Sequence, residues 1–328
     1  MLEVACPWHG PLWTSLTTQT QHAHAYLFSG LPGVGKRRFA NAFAAYLLCD
    51  KPEHGMACGH CRACQLREAG SHPDMLVLEP EEEGKAIRVD AVRQLVDFIG
   101  QTAQQGGCKV IVLHPAEAMN LNAANALLKS LEEPTRDTYL LLVSDQPSRL
   151  LPTIRSRCRV QTLPAPSNDE ALQWLTTAIP ELSAEQHQAL LVMAGGAPLR
   201  ALALHAMDAV AMRQQVVADV KALIKQERSP GQVSDAWAKY PLGLLLDWFC
   251  SWTLDLLKLH THAQSVASNQ DMDKVLGYVV RFPSARQLMD WQSWLLAHRA
   301  MVQGKANLNR GLFVEALLIE WKKLLEKR

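Results

Sequence analysis

Two clusters in the sequence have the residue types and spacing to do chemistry. The first is Gly30-Leu-Pro-Gly33-Val-Gly35-Lys36-Arg37, which fits G-x-x-x-x-G-K, the phosphate-binding loop pattern. Glycines at 30, 33 and 35 let backbone N–H groups face phosphate oxygens. The helix expected next favours anions at its N-terminus, and Lys36 is placed to reach the outer phosphates of a nucleotide such as ATP. The pattern asks for Ser or Thr at the next position, whose hydroxyl binds Mg2+; here it is Arg37. A guanidinium cannot ligate a cation and would repel one. The run Val110-Ile-Val-Leu113 should end in an acidic pair, one residue to hold Mg2+ and one to activate water. Instead His114 and Pro115 follow, and Glu117 beyond them is a poor substitute. Nucleotide binding stays open on these residues; intrinsic hydrolysis is not expected.

The second cluster is Cys49, Cys58, Cys61 and Cys64, spaced C-x8-C-x2-C-x2-C. In a reducing compartment such thiols read as a metal site before they read as disulfides. Four sulfurs suit tetrahedral Zn2+ with no open position, hence a structural role. An iron–sulfur cluster is the runner-up, since C-x2-C-x2-C occurs there too. His54 and His60 are reserve ligands. The other cysteines, at 6, 108, 158 and 250, are scattered and are read as buried small hydrophobes.

These clusters need elements to position them. Short apolar runs at 25–30, 74–80, 109–115 and 138–144, followed by 159–163, read as strands ending in turn signals. Helical patterns at 35–48, 90–104 and 120–132 lie between them. The alternation predicts a doubly wound α/β domain with a parallel sheet and helices on both faces. The segment 164–170, PAPSNDE, is a linker followed by a helix start. Residues 168–207 read as two or three short helices broken at Pro180 and at Gly195-Gly196-Ala197-Pro198. Residues 208–328 read as longer amphipathic helices and hold six of the nine Trp, which fill a helical core on this reading.

Composition narrows the classes further. In 328 residues, 48% are hydrophobic and 20% charged, so real cores can form. Lys+Arg is 33 against 32 for Asp+Glu, a net charge of +1, which excludes a basic arm or acidic tail as the basis of function. No apolar run approaches the ~18 residues of a membrane span, and the first residues carry no secretory pattern. A cytoplasmic location is expected. A zinc-ribbon nucleic-acid binder would need basic and aromatic residues around the cysteines. Only Lys51, Arg62 and Arg67 are near, with no aromatic between Cys49 and Cys64.

Further runs carry a resemblance. HAYLFSGLPGVGKRRFA looks like the start of an AAA+ clamp-loader subunit, and AANALLKSLEEP (123–134) with LLLVSDQPSRLLPTIRSRC (140–158) is similar to the bacterial clamp-loader family of DNA polymerase III. Ser156-Arg157-Cys158 matches its SRC motif and the four-Cys insertion its zinc module. The stretch Asn307–Trp321 resembles the last helix of its collar domain.

The resemblance implies three parts: an AAA+ P-loop domain over 1–166 with its zinc module at 49–64, a small helical lid over 167–207, and an all-α collar over 208–328 that oligomerises. It implies partners: gamma/tau and delta subunits, and through them the β sliding clamp and primed DNA. With its own ATPase residues degenerate, the chain is expected to be a non-hydrolysing stator of the DNA-directed DNA polymerase holoenzyme, itself without ATPase or polymerase activity. An active ATPase of the gamma/tau type is the alternative. Arg157, expected on a helix at the domain rim, would serve as an arginine finger in a neighbour's ATP site; as a residue alone, it could equally be a surface ion-pair partner. Sensor positions fall at Ser144 or Asp145 and at Arg200. Glu132 and Glu133 are expected to cap a helix end before Pro134 and to contact a neighbouring subunit.

Overall fold

A computed structural model describes residues 6–82, 85–105, 107–262, 267–303 and 308–326. Asn307, part of the collar resemblance, lies outside the described residues. The chain divides into two compact units, 1–204 and 205–328.

The first unit is built on five parallel strands: β1 (Ala25–Ser29), β2 (Met75–Leu78), β3 (Lys109–Leu113), β4 (Thr138–Ser144) and β5 (Arg159–Thr162), in the order β2-β3-β4-β1-β5. β1 and β3 are buried at every position. This is why they read in the sequence as continuous apolar runs. β1 is an interior strand, pairing with β4 from Ala25↔Leu140 to Ser29↔Ser144 and with the edge strand β5 on its other side. Its end therefore delivers the glycine loop to the carboxyl edge of the sheet, where open α/β sheets bind ligands.

The helices of this unit are α1 (Gly10–Thr17), α2 (Lys36–Leu48), α3 (Arg62–Glu68), α4 (Val89–Gly100), α5 (Leu121–Glu132), α6 (Pro152–Arg155), α7 (Asn168–Ala178), α8 (Ala184–Met193) and α9 (Pro198–Ala206), whose last two residues fall beyond the unit's limit. One face of the sheet packs Leu27, Ile111, Leu140 and Leu142 against α4 and α5. The other packs Tyr26, Phe28, Val110 and Val143 against Phe39 and Phe43 of α2 and Leu16 of α1. α4 ends at Gly100, four residues short of the expected 104. Asp74 is the reason the chain turns away: its carboxylate accepts from the backbone N–H groups of Gln104 (2.7 Å) and Gln105 (2.8 Å).

The α-helices of the second unit are α10 (Ala209–Ile224), α11 (Pro230–Ala236), α12 (Leu242–Thr261), α13 (Asp273–Val279), α14 (Ala285–Gln303) and α15 (Arg310–Lys323), and no strand occurs among its described residues. Five of its six Trp lie in the core, and Trp294 is half-buried. Trp237, Trp252 and Trp321 are fully buried around Phe249, which meets the Trp321 ring edge-on at 5.3 Å. Buried Arg213 is paired with Asp271 at 2.6 Å and bonded to Asn269, which in turn donates to Asp255. Among the described residues no single helix is long and apolar enough to cross a membrane.

Candidate functional site

The phosphate-loop backbone has the conformation its glycines predict. Gly33 and Gly35 sit at φ +79° and +99°, the left-handed region where a Cβ is strained. Gly35 is the residue before α2, so the loop opens directly onto a helix N-terminus. The loop is also packed from outside by the chain itself. Trp8 Nε1 donates to Val34 O at 2.9 Å, and the N–H of Leu199 on α9 donates to Gly33 O at 3.1 Å. A Cβ on Gly33 would stand 2.6 Å from Arg200 Cβ, and one on Gly35 would stand 2.7 Å from Cys6 Sγ.

Lys36, which the motif places to reach outer phosphates, takes its polar partners from within the chain. Its side chain is 3% exposed, and its ammonium donates to Gly30 O at 2.7 Å and Leu31 O at 2.6 Å. The third partner is Asp145 Oδ1 at 2.5 Å. An ammonium has three N–H donors, and three acceptors of this chain take them. Asp145, one of the two residues expected at the first sensor position, is thus the counter-ion of the loop lysine. Ser144 is buried and its Oγ accepts from Gln146 N.

Arg37 and Glu117 likewise have partners within the chain. Arg37 Nη2 pairs with Glu79 Oε1, just past β2, at 2.6 Å. Glu117 turns toward the backbone: its Oε1 accepts from Asp145 N (2.9 Å) and Gln146 N (3.1 Å). Burial pushes the His114 imidazole pKa down, so at neutral pH it adds no charge here.

The four cysteine sulfurs lie within 4.8 Å of one another and could hold a metal ion. Cys49 follows the end of α2, and Cys61 caps the start of α3. Cys49 and Cys61 Sγ are 3.9 Å apart; the edge of a tetrahedron with Zn–S bonds of ~2.3 Å is about 3.8 Å. Backbone N–H groups of Cys58, Cys61 and Cys64 donate to the sulfurs of Cys49, Cys58 and Cys61 at 3.3–3.4 Å. Such bonds stabilise thiolates and orient them toward a cation. A backbone hydrogen bond from His60 leads the effects that hold the Cys58 thiol down at about 6. His54 and His60 are exposed and are not part of the cluster; the His60 ring faces Glu53. The excursion is tied to α1 by Trp13 Nε1, which donates to Gly55 O at 3.1 Å.

Arg157 lies just past α6, in the turn after it, and not on the helix as expected: its N–H donates to Ile154 O at 3.1 Å. The four-residue helix is started by Pro152 and ends at Arg155. Arg157 Nη2 pairs with Glu132 Oε1 at 2.7 Å, and Nη1 donates to Thr153 O at 3.0 Å. The sequence motifs contain both residues of this pair, but nothing in either motif indicates the pairing. Trp8 and His9, which flank the phosphate loop, were not signalled as site residues. The aromatic-rich start of the chain, with Trp8, His9 and Trp13, was the available cue.

A glycine loop at the carboxyl edge of this parallel sheet, a four-cysteine cluster inserted after the loop's helix, and a helical second unit define an α/β P-loop protein with a candidate metal module. Residues 11–167 match the family model described as DNA polymerase III, delta subunit, and residues 207–323 the one described as its C-terminal part. The delta' subunit of DNA polymerase III from Pseudomonas aeruginosa is 52% identical over 97% of each chain. That from Escherichia coli is 32% identical over 98% of this chain and 96% of its own. Among solved structures, a gamma-subunit-related protein of Thermotoga maritima aligns at 17% identity and a TM-score of 0.44, covering 96% of this chain and 99% of that one. The chain belongs to the DNA polymerase III delta' subunit family.

Proposed function

We propose that this chain is the nucleotide-independent, non-hydrolysing stator of a clamp loader. On this reading it works in the cytoplasm with gamma/tau and delta subunits to place the β sliding clamp on primed DNA. The observation that carries it is the saturation of Lys36 by Gly30 O, Leu31 O and Asp145. A loop lysine without a spare donor cannot meet a β- or γ-phosphate unless it first breaks a buried pair. Arg37 and Glu79 neutralise each other where Mg2+ would be required. The loop lysine is thus held by partners of its own chain, which suits a fixed member of a ring.

The three-part organisation into 1–166, 167–207 and 208–328 belongs to the same proposal, with the last part as the assembling collar. So does the metal: Cys49, Cys58, Cys61 and Cys64 would hold Zn2+, which has no open position among four thiolates and would serve only to close the excursion. Arg157 would act in trans, its guanidinium stabilising charge on the γ-phosphate of ATP held by a neighbouring gamma/tau subunit. Such groups are worth roughly 10³–10⁵ in rate.

Titration of the purified chain with Mg-ATP and with ADP tests the central claim. No binding heat and no hydrolysis, alone or with primed DNA, is the expected result. Stoichiometric binding that Lys36→Ala removes would overturn it. In the reconstituted complex, Arg157→Ala should lower clamp- and DNA-stimulated ATPase by up to one site's share.

A further inference from the structure

We propose that Glu132 is the positioning residue for Arg157, holding its guanidinium in one orientation before the subunit meets its neighbour. The inference rests on the reading of Arg157 as a residue acting in trans, and it adds the group through which that residue is aimed.

The Arg157 side chain is anchored at two points on two different elements. Thr153 O on α6 takes Nη1 at 3.0 Å, and Glu132 Oε1 at the end of α5 takes Nη2 at 2.7 Å. Its backbone is fixed as well, through the bond from Arg157 N to Ile154 O. A guanidinium offers five N–H donors in a rigid fork. Two are used, and 34% of the side chain stays open to solvent. The remaining donors can therefore meet an outside anion while the Glu132 and Thr153 contacts persist. Orienting a long side chain in advance removes rotamer freedom that would otherwise be lost during the encounter.

The position of Glu132 argues for a role outside its own helix. It is the last residue of α5, and Pro134 two residues on forbids the helix to continue. The C-terminal end of a helix favours cations and disfavours a carboxylate. A Glu there costs its helix something, and the contact that offsets the cost is the one to Arg157.

The pair is half-exposed, with Glu132 at 49%, so it is screened by water and biases the guanidinium instead of locking it. That distinguishes a positioning residue from an inhibitory latch. A latch would have to be broken before Arg157 could work, and its loss would raise activity. Loss of a positioning residue lowers activity, and only while Arg157 is present.

The test uses the reconstituted clamp loader, reading clamp- and DNA-stimulated ATPase at saturating and limiting ATP. The portion lost in Arg157→Ala defines the share that depends on this residue. Glu132→Ala is expected to reduce that share about two- to fivefold, the range in which exposed ion pairs act. The loss should lie in kcat, with the KM for ATP unchanged. Glu132→Gln, which keeps an acceptor, should retain more of it. In the Arg157→Ala background Glu132→Ala should change nothing. The proposal is overturned if Glu132→Ala matches or exceeds the wild-type rate while Arg157→Ala loses its share, or if Glu132→Ala lowers the Arg157→Ala rate further. If Arg157→Ala itself leaves the rate untouched, the trans-acting reading fails and this inference falls with it.

Discussion

Lys36 Nζ and Asp145 Oδ1 stand 2.5 Å apart across the carboxyl edge of the sheet, one at the start of α2 and the other just past β4. The lysine that a phosphate loop normally offers to its ligand is here a strut between two elements of the same chain. Breaking a buried ion pair by removing one partner costs about 3–5 kcal/mol. Asp145 is about a third exposed, so solvent screening brings the expectation down to about 1–3 kcal/mol. Asp145→Asn should therefore lower the thermal midpoint at roughly 2–4 °C per kcal/mol. Lys36→Met should do the same, because it also leaves Gly30 O and Leu31 O without their donor. The double variant should lose less than the sum of the two. Calorimetry checks all three; midpoints equal to wild type would mean that the pair is not a strut.

Gly33 separates the effect of a strained backbone from that of a blocked space. At φ +79°, a Cβ would meet Arg200 Cβ at 2.6 Å. Gly70 has a similar φ of +69° with nothing within 4 Å of such a Cβ. Gly70→Ala should carry the left-handed penalty alone, about 1 kcal/mol. Gly33→Ala should add about 1–3 kcal/mol for overpacking against α9. It should also speed limited proteolysis near Gly195-Gly196, where α9 is joined to α8. Equal losses in the two variants would show that α9 yields freely.

The four-cysteine cluster makes a local prediction. Elemental analysis should find one Zn2+ per chain, and iron with a visible charge-transfer band would exclude the zinc assignment. Removal of the metal by a chelator, or Cys58→Ser, should loosen the excursion between α2 and α3. Trp13, whose indole donates to Gly55 O at 3.1 Å on that excursion, is the built-in reporter. Its fluorescence should change, while the Trp core of the second unit stays folded.

What the sequence made legible was whatever is repeated locally. The five strands were visible because buried parallel strands are unbroken apolar runs, and the cysteines because all four ligands fall on one excursion. What it concealed depends on pairing between distant positions. Lys36 and Asp145 come from different motifs more than a hundred residues apart, so nothing local announces that they neutralise one another. The end of α4 was missed for the same reason. The polar run after Gly100 has no stop signal, and the cause is Asp74, on the far side of the helix in sequence, capturing the N–H groups of Gln104 and Gln105. Arg157 was expected on a helix because Leu151–Cys158 reads as one, whereas the helix lasts only from Pro152 to Arg155.

His9 gives the fold a built-in sensitivity to acid. It is fully buried between Trp8 and Phe39 beside the phosphate loop, and burial pushes its pKa from 6.5 down to about 4. The folded state therefore keeps His9 neutral, while the unfolded chain protonates it below pH 6.5. In that window the unfolded state binds more protons, so stability falls as pH falls. Between pH 6.5 and 5 the loss is about 1.5 kcal/mol, less than the full 1.36 kcal/mol per pH unit because the unfolded histidine is only half protonated at pH 6.5. Below about pH 4 the folded state also protonates and the dependence from this residue ends. His22, His72 and His114 are shifted in the same direction by burial and steepen the slope. His9→Phe should flatten the fall in thermal midpoint between pH 6.5 and 5 by one proton's worth. An unchanged slope would mean that His9 gains solvent or a partner in solution.

The second unit leaves apolar residues uncovered in a regular pattern. On α15, Leu312 and Ile319 are 66% and 40% exposed and stand seven residues apart, so they share one side of the helix. The opposite side carries Phe313, Val314, Leu317 and Trp321 into the core. Met289 and Leu296 repeat the same spacing on α14 and are likewise exposed. Two such stripes are what helices in a ring of subunits would bury against neighbours. Leu312→Asp with Ile319→Asp should leave the thermal midpoint of the isolated chain near wild type, since neither side chain contributes to the core. The same double variant should fail to co-elute with the gamma/tau and delta subunits on size exclusion. Loss of folding in the free chain would show that the stripe is part of the unit's own packing. Co-elution at wild-type strength would move the assembly face elsewhere, and Met289→Asp with Leu296→Asp, measured in the same way, tells whether α14 carries it instead.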